Sequence, residues 1–155
     1  MKTFLIDGNN LIGKIKNLFA LQQKDKQASR EQLIFLLEKY FKNQKNKGIV
    51  YFDGFQSTAI ASNYLKIKYS QSQTADDIIR EDISQTKNRK NLIVVTSDSA
   101  LSNFGRACSC EVIKSEVYFS KYLQPKSNES ESGIIDNLNN RTDEFKKLFG
   151  VKEER

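Results

Sequence analysis

Hydrophobic and polar positions along this chain fall into short apolar runs separated by stretches of helical period. "KTFLID" (2–7), "GIVYFDG" (48–54) and "NLIVVTSDS" (91–99) are continuous apolar runs that end abruptly in polar turn signals. That is the pattern of strands buried on both faces of a parallel sheet. The run at 91–99 is the most hydrophobic and is expected at the sheet centre. "LKIKYS" (65–70) alternates and predicts a more exposed strand; "CEVIKS" (110–115) predicts another.

Between these runs the spacing turns helical. "SREQLIFLLEKYFKNQKNKG" (29–48) predicts a helix with Ser29 and Gln32 as a capping box, and with Leu33, Leu36, Leu37, Tyr40 and Phe41 on its apolar face. Gly48 is expected to close it. "TADDIIREDISQTK" (74–87) predicts a helix capped by Thr74, with acids in its first turn. "SALSNFGRAC" (99–108) and "SEVYFSKYL" (115–123) predict two short ones. Such alternation implies an α/β domain over 1–123, with a mainly parallel sheet covered on both faces. After Leu123, "QPKSNESESG" opens a polar linker or loop expected over 124–140. "RTDEFKKLFG" (141–150) predicts a short capped helix with Phe145, Leu148 and Phe149 on one side, expected to dock on the domain.

Composition narrows the chemistry. The 155 residues suit one domain. No stretch approaches the ~20 apolar residues of a membrane span, and Asp7 interrupts the N-terminal apolar run, so a cytoplasmic protein is expected. A net charge of +6 fits a polyanionic partner. Cys108 and Cys110 lack further ligands for zinc and read as small semi-buried residues beside a strand. Histidine is absent altogether. That removes histidine bases, Ser-His-Asp and Cys-His nucleophiles and histidine–zinc sites, leaving carboxylates, hydroxyls, lysines or a hard metal ion.

The carboxylates lie where such an ion would be held. Ligands of open parallel sheets bind at the carboxyl ends of the strands. Asp7, Asp53 and Asp98 each follow a predicted strand, and Asp76 and Asp77 open the helix after Thr74. Singly, each reads as a turn or a helix cap; together on one edge they require a neutralising cation, and an all-oxygen set suits Mg²⁺ or Mn²⁺. Helical geometry puts Asp76 on the side of Ile79 and Ile83, the better ligand, and turns Asp77 outward. Lys14, Lys16, Arg80 and Arg106 are candidates for phosphate contacts near that edge. Tyr51, Tyr64 and Tyr69 are candidates for base stacking, with packing as the alternative.

"FLIDGNNLIG", "VYFDG", "TADDIIRE" and "VVTSDSALSNFGRACSCEVIKSEVYF", in this order, resemble the YacP-like branch of the NYN domains, within the PIN-like nuclease group. The resemblance implies a PIN-like three-layer α/β/α fold and metal-dependent endoribonuclease activity. It implies RNA, particularly mRNA, as substrate and the ribosome as a possible partner, in a bacterial cytoplasm or plastid stroma. Residue by residue it marks Asp7, Asn10, Asp76, Asp77 and Asp98 as catalytic, with Asp7, Asp76 and Asp98 as metal ligands. Asp53 and Ser97 are peripheral candidates. Asn9 departs from the pattern, which carries an aromatic there. On this reading Gly8 lets the backbone turn close to the metal or substrate, and Asn10 orients a ligand or phosphate.

Two rival readings remain. One is a non-catalytic RNA- or ribosome-binding module of the same fold. The other is a phosphoacceptor signalling domain using Asp7, Asp53, Thr96 and Lys114, which leaves "TADD" unexplained.

Overall fold

The apolar runs become five parallel strands in one sheet: β1 (Thr3–Asp7), β2 (Lys47–Phe52), β3 (Leu65–Tyr69), β4 (Leu92–Val95) and β5 (Glu111–Ile113). Their order is β3-β2-β1-β4-β5. The computed structural model describes residues 1–124, of which Met1–Leu123 form one unit. The linker predicted over 124–140, beyond its first residue, and the helix predicted over 141–150 lie outside the described residues.

β1, not β4, occupies the centre. All four residues of β4 are buried because it too is interior, between β1 and β5. Hydrophobicity therefore marked an inner strand without separating it from the central one.

Alternate side chains of the strands enter two cores. Phe4, Ile6, Val50, Phe52, Ile93 and Val95 pack on one face against α1 (Gly8–Gly13), α2 (Lys16–Lys24), α3 (Lys26–Phe41) and α6 (Ser115–Tyr118). Leu5, Tyr51, Leu92 and Val94 pack on the other against α4 (Ala75–Gln85) and α5 (Ser99–Ala107). The result is the expected three-layer α/β/α architecture. Among the described residues no helix is long and apolar enough to cross a membrane.

Three local expectations change. Helix α3 begins earlier than predicted, because the Asp25 side chain accepts from the Ala28 N–H at 3.0 Å. Ser29 lies inside the first turn and donates to the Lys26 carbonyl at 2.8 Å, so it is not the cap. The helix ends at Phe41, and Gly48 belongs to β2. Helices α1 and α2 were not predicted: "DGNN" reads as a turn, and α2 fully buries only Leu18.

The chain runs from β1 outward through β2 and β3, then crosses to β4 and β5 on the other side of β1. The carboxyl ends of β1 and β4 therefore form the point where strand order reverses, the place such sheets bind ligands.

Candidate active site

Asp7 closes β1 at that point and is only 8% exposed. It shares the parity of Leu5, so it faces the α4–α5 layer. Register pairs Ile6 with Val95, which brings Thr96 alongside Asp7. The Thr96 hydroxyl donates to Asp7 Oδ2 at 3.0 Å and accepts from the Asp98 N–H at 3.2 Å. Burial pushes the Asp7 carboxyl up from 3.8 to about 6. The Thr96 hydroxyl and the Asn10 backbone amide oppose the rise; the negative charges of Asp53 and Asp76 add to it. Asp7, Asp53 and Asp76 thus share one electrostatic neighbourhood.

Glycine at position 8 permits this arrangement. A Cβ there would lie 2.7 Å from the Tyr51 carbonyl oxygen and 2.7 Å from the Phe52 ring. Helix α1 can therefore start directly from Asp7 against β2 only without a side chain at its first position. The residue serves close approach to β2, not the turn expected from the sequence.

Asp76 is half-exposed. Its Oδ2 accepts from Arg80 Nε at 2.7 Å, while its Oδ1 is buried without a hydrogen-bond partner. Arg80, expected to contact phosphate, is engaged by Asp76 and stacks 5.0 Å from the Phe104 ring centroid. Asp77 is exposed and spends its side chain locally. It accepts from the Thr74 N–H at 3.3 Å while Thr74 Oγ1 accepts from the Asp77 N–H at 3.1 Å, a capping box. Asp98 is likewise exposed, and its Oδ2 caps α5 through the Leu101 N–H at 2.8 Å.

Asp53, peripheral by sequence, is a junction. Its N–H donates to Asn9 Oδ1 at 2.9 Å, its carbonyl accepts from Arg30 Nη2 at 2.6 Å, and its Oδ1 accepts from the Ala75 N–H at 2.7 Å. It therefore ties β2 to α1, α3 and the start of α4. Asn9, standing where an aromatic was expected, replaces that ring with a hydrogen bond to this junction.

On the other side of β1, Asn10 Oδ1 accepts from the Ser97 N–H at 2.9 Å and from the Ser115 hydroxyl at 2.7 Å. The amide oxygen thus fastens α1 to the carboxyl ends of β4 and β5. Its Nδ2 makes no hydrogen bond to any described residue. Ser97 is built in similarly: its hydroxyl donates to Glu116 and accepts from the Ser115 N–H at 3.0 Å. That bond, with Lys14 and Lys114 nearby, holds the exposed Glu116 carboxyl below its ordinary value. Sequence reasoning missed Glu116, since "KSEV" carries no signal until β5 brings it to this edge.

The remaining candidates separate by position. Lys14 lies near Glu116 and belongs to the edge; Lys16 is exposed at the start of α2. Arg106 does not lie near the carboxyl edge as expected: it sits in the last turn of α5, which starts at that edge and runs ~12 Å away from it. Tyr51 is fully buried, and its hydroxyl donates to Asp82 Oδ2 at 2.6 Å. Burial and that carboxylate both raise the phenol's pKa. Tyr69 packs against Phe52 and Arg30. Tyr64 is exposed but precedes β3, at the opposite edge of the sheet. None of the three tyrosines offers an open ring at the site. Cys108 and Cys110 are free thiols beside β5, half-buried and buried.

Phosphoacceptor chemistry lacks its geometry here. Asp53 follows β2, away from the sheet centre, and its side chain caps α4; a receiver-type order would be 2-1-3-4-5.

Among the described residues, no three Asp, Glu, His or Cys side chains stand close enough together to hold a metal ion as placed. The donors nevertheless suit a hard ion that keeps most of its water: the buried Asp7 carboxyl and the unpartnered Oδ1 of Asp76 are both oxygen donors in a mutually repelling group. Mg²⁺ is commonly held by one or two carboxylates plus water and substrate phosphate.

No curated protein matches the chain. Two crystal structures of Rae1 (YacP) from Bacillus subtilis are similar to it. A tryptophan-to-leucine mutant matches with a TM-score of 0.66 and 19% identity, over 97% of this chain and 87% of that one. A second Rae1 structure matches with a TM-score of 0.61 and 20% identity, over 97% and 85%. Residues 4–150 match the model of the YacP-like NYN domain, and the chain, with its nuclease-type α/β fold, belongs to that family.

Proposed function

We propose that the protein is a metal-dependent endoribonuclease that hydrolyses RNA phosphodiester bonds, with mRNA on the ribosome as its setting. The observation that carries the reading is Asp7. A carboxyl group is buried at the point where strand order reverses, repelled by Asp53 and Asp76, with a second buried carboxylate oxygen left unpartnered. Such an arrangement is unfavourable unless a cation completes it.

Asp7 and Asp76 would hold Mg²⁺ or Mn²⁺, with Asp53 and Asp98 adding negative charge near the same strand ends. When bound, the ion supplies Lewis-acid activation of water and neutralises charge on a phosphodiester. The chain's own part is positioning. Thr96 fixes the Asp7 carboxylate from one side and the Asp98 backbone from the other. Asn10, anchored by its oxygen, leaves its Nδ2 to donate to a phosphate oxygen. Lys14 adds positive charge at the rim, and the net charge of +6 favours a polyanion.

The caps made by Asp53, Asp77 and Asp98 favour a second reading, a non-catalytic RNA- or ribosome-binding module. The two separate by cleavage of end-labelled single-stranded RNA, free and on translating ribosomes, with Mg²⁺, Mn²⁺ or EDTA. Wild-type cleavage that EDTA, Asp7→Asn and Asp98→Asn each abolish supports the nuclease. Binding without cleavage under every condition leaves the module.

A further inference from the structure

The loop after β2 carries Phe55 with two-thirds of its surface in solvent (66% exposed). Phe55 is two residues from Asp53, a span of at most ~7 Å of chain, so it borders the acidic site. An exposed ring on a loose loop would mean little. This loop, however, is fixed from several sides.

Arg30, 3% exposed, extends from α3 and donates to the carbonyls of Asp53 at 2.6 Å and Phe55 at 3.4 Å. Its guanidinium is held in turn over the rings of Phe52 and Tyr69, at 5.0 and 5.6 Å from their centroids. Gly54 adopts φ +83°, its N–H donates to the Ser70 hydroxyl at 2.8 Å, and its carbonyl accepts from the Gln71 N–H at 2.7 Å. A buried arginine and a left-handed glycine thus set the backbone of a residue whose side chain packs on little.

We propose that Phe55 is a stacking platform for an unpaired nucleobase of the RNA strand whose phosphodiester enters the acidic site. The proposal rests on the nuclease reading and names the form of its substrate: single-stranded at the nucleotide beside the cleaved bond. Every base presents a face to an aromatic ring, whereas a paired and stacked base does not, so the platform selects strandedness rather than sequence. With the backbone of Phe55 already held in place, only the side chain's own rotamer freedom is lost on binding.

The chain contains no tryptophan, so Phe55→Trp installs a single indole as a direct reporter. Binding of a short fluorescein-labelled RNA is followed by anisotropy in EDTA, beside the same sequence as a duplex; indole emission is followed with unlabelled RNA. The expectation is that Phe55→Ala weakens single-strand binding on the order of tenfold. Phe55→Trp should restore it and show indole quenching by the single strand and not by the duplex. Equal affinity of Phe55→Ala and wild type, or an unquenched indole at saturating RNA, overturns the proposal and leaves Phe55 as a protein contact. If the wild type cleaves RNA while Phe55→Ala matches its KM, stacking fails and the nuclease reading stands. If the wild type neither binds nor cleaves, free or on ribosomes, both fall.

Discussion

Replacing Asp7 with asparagine should stabilise the ion-free protein at neutral pH while removing the proposed activity. The carboxyl is raised from 3.8 to about 6, so the folded state binds its proton more tightly than the unfolded state does. Stability from this group is fully present below pH ~3.8 and is lost as pH rises through ~6. At ~1.4 kcal/mol for each tenfold change in proton affinity, ionised Asp7 costs the fold about 3 kcal/mol at pH 8. Asparagine keeps an oxygen to accept from Thr96 and carries no charge. For a chain of this length each kcal/mol moves Tm by ~2–4 °C, so Asp7→Asn should melt ~6–12 °C higher at pH 8 in EDTA. The gap should close by pH 4, where wild-type Asp7 is largely neutral. Urea titrations at the two pH values measure the same difference. Mn²⁺ should raise the wild-type Tm at pH 8, lose that effect below pH 6 as protons compete for Asp7, and leave the variant unmoved. A variant less stable than wild type at pH 8, or a difference independent of pH, would refute the account of Asp7 as a buried, repelled carboxylate.

Gly8→Ala should cost ~1–3 kcal/mol in urea unfolding, because the new methyl meets a backbone carbonyl that cannot move aside. Thr96→Val should cost ~1–3 kcal/mol, more at pH 8 than at pH 4, since the lost bond is to an ionised carboxylate at the higher pH; an equal cost at both values would mean Asp7 does not ionise between them. Arg80→Gln should change stability by less than ~1 kcal/mol, its ion pair being about one-third exposed. The same change should tighten Mn²⁺ binding severalfold by calorimetry, as it removes a cation from Asp76; unchanged affinity would take Asp76 out of the ion's site.

Some of these features could be read directly from local pattern. Thr74 as a cap, the end of β1 at Asp7, and the inward lean of Asp76 relative to Asp77 follow from short-range periodicity, whereas β2 stops at Phe52 and β4 at Val95, which leaves Asp53 and Asp98 beyond their strands. The absence of histidine by itself narrows the chemistry to carboxylates, hydroxyls, lysines or a hard metal ion. The family pattern added the three-layer architecture.

Other features depend on contacts between distant segments. Asp98 and Asp77 look alike as acids at helix starts, yet neither is buried, while Asp7 is. That distinction arises because β1 lies between β2 and β4 and places Asp7 beside Thr96, 89 residues away. Asn10 meets Ser115 across 105 residues, and Glu116 joins the edge only through β5. Arg106 left the edge for the same kind of reason: helix direction, not residue type, sets where a side chain lies. Periodicity along the chain records which face of an element is dry. Which elements become neighbours, and hence which carboxylates lose their water together, is settled by strand order and register, where the free energy of the whole packed sheet chooses among pairings that look equivalent locally.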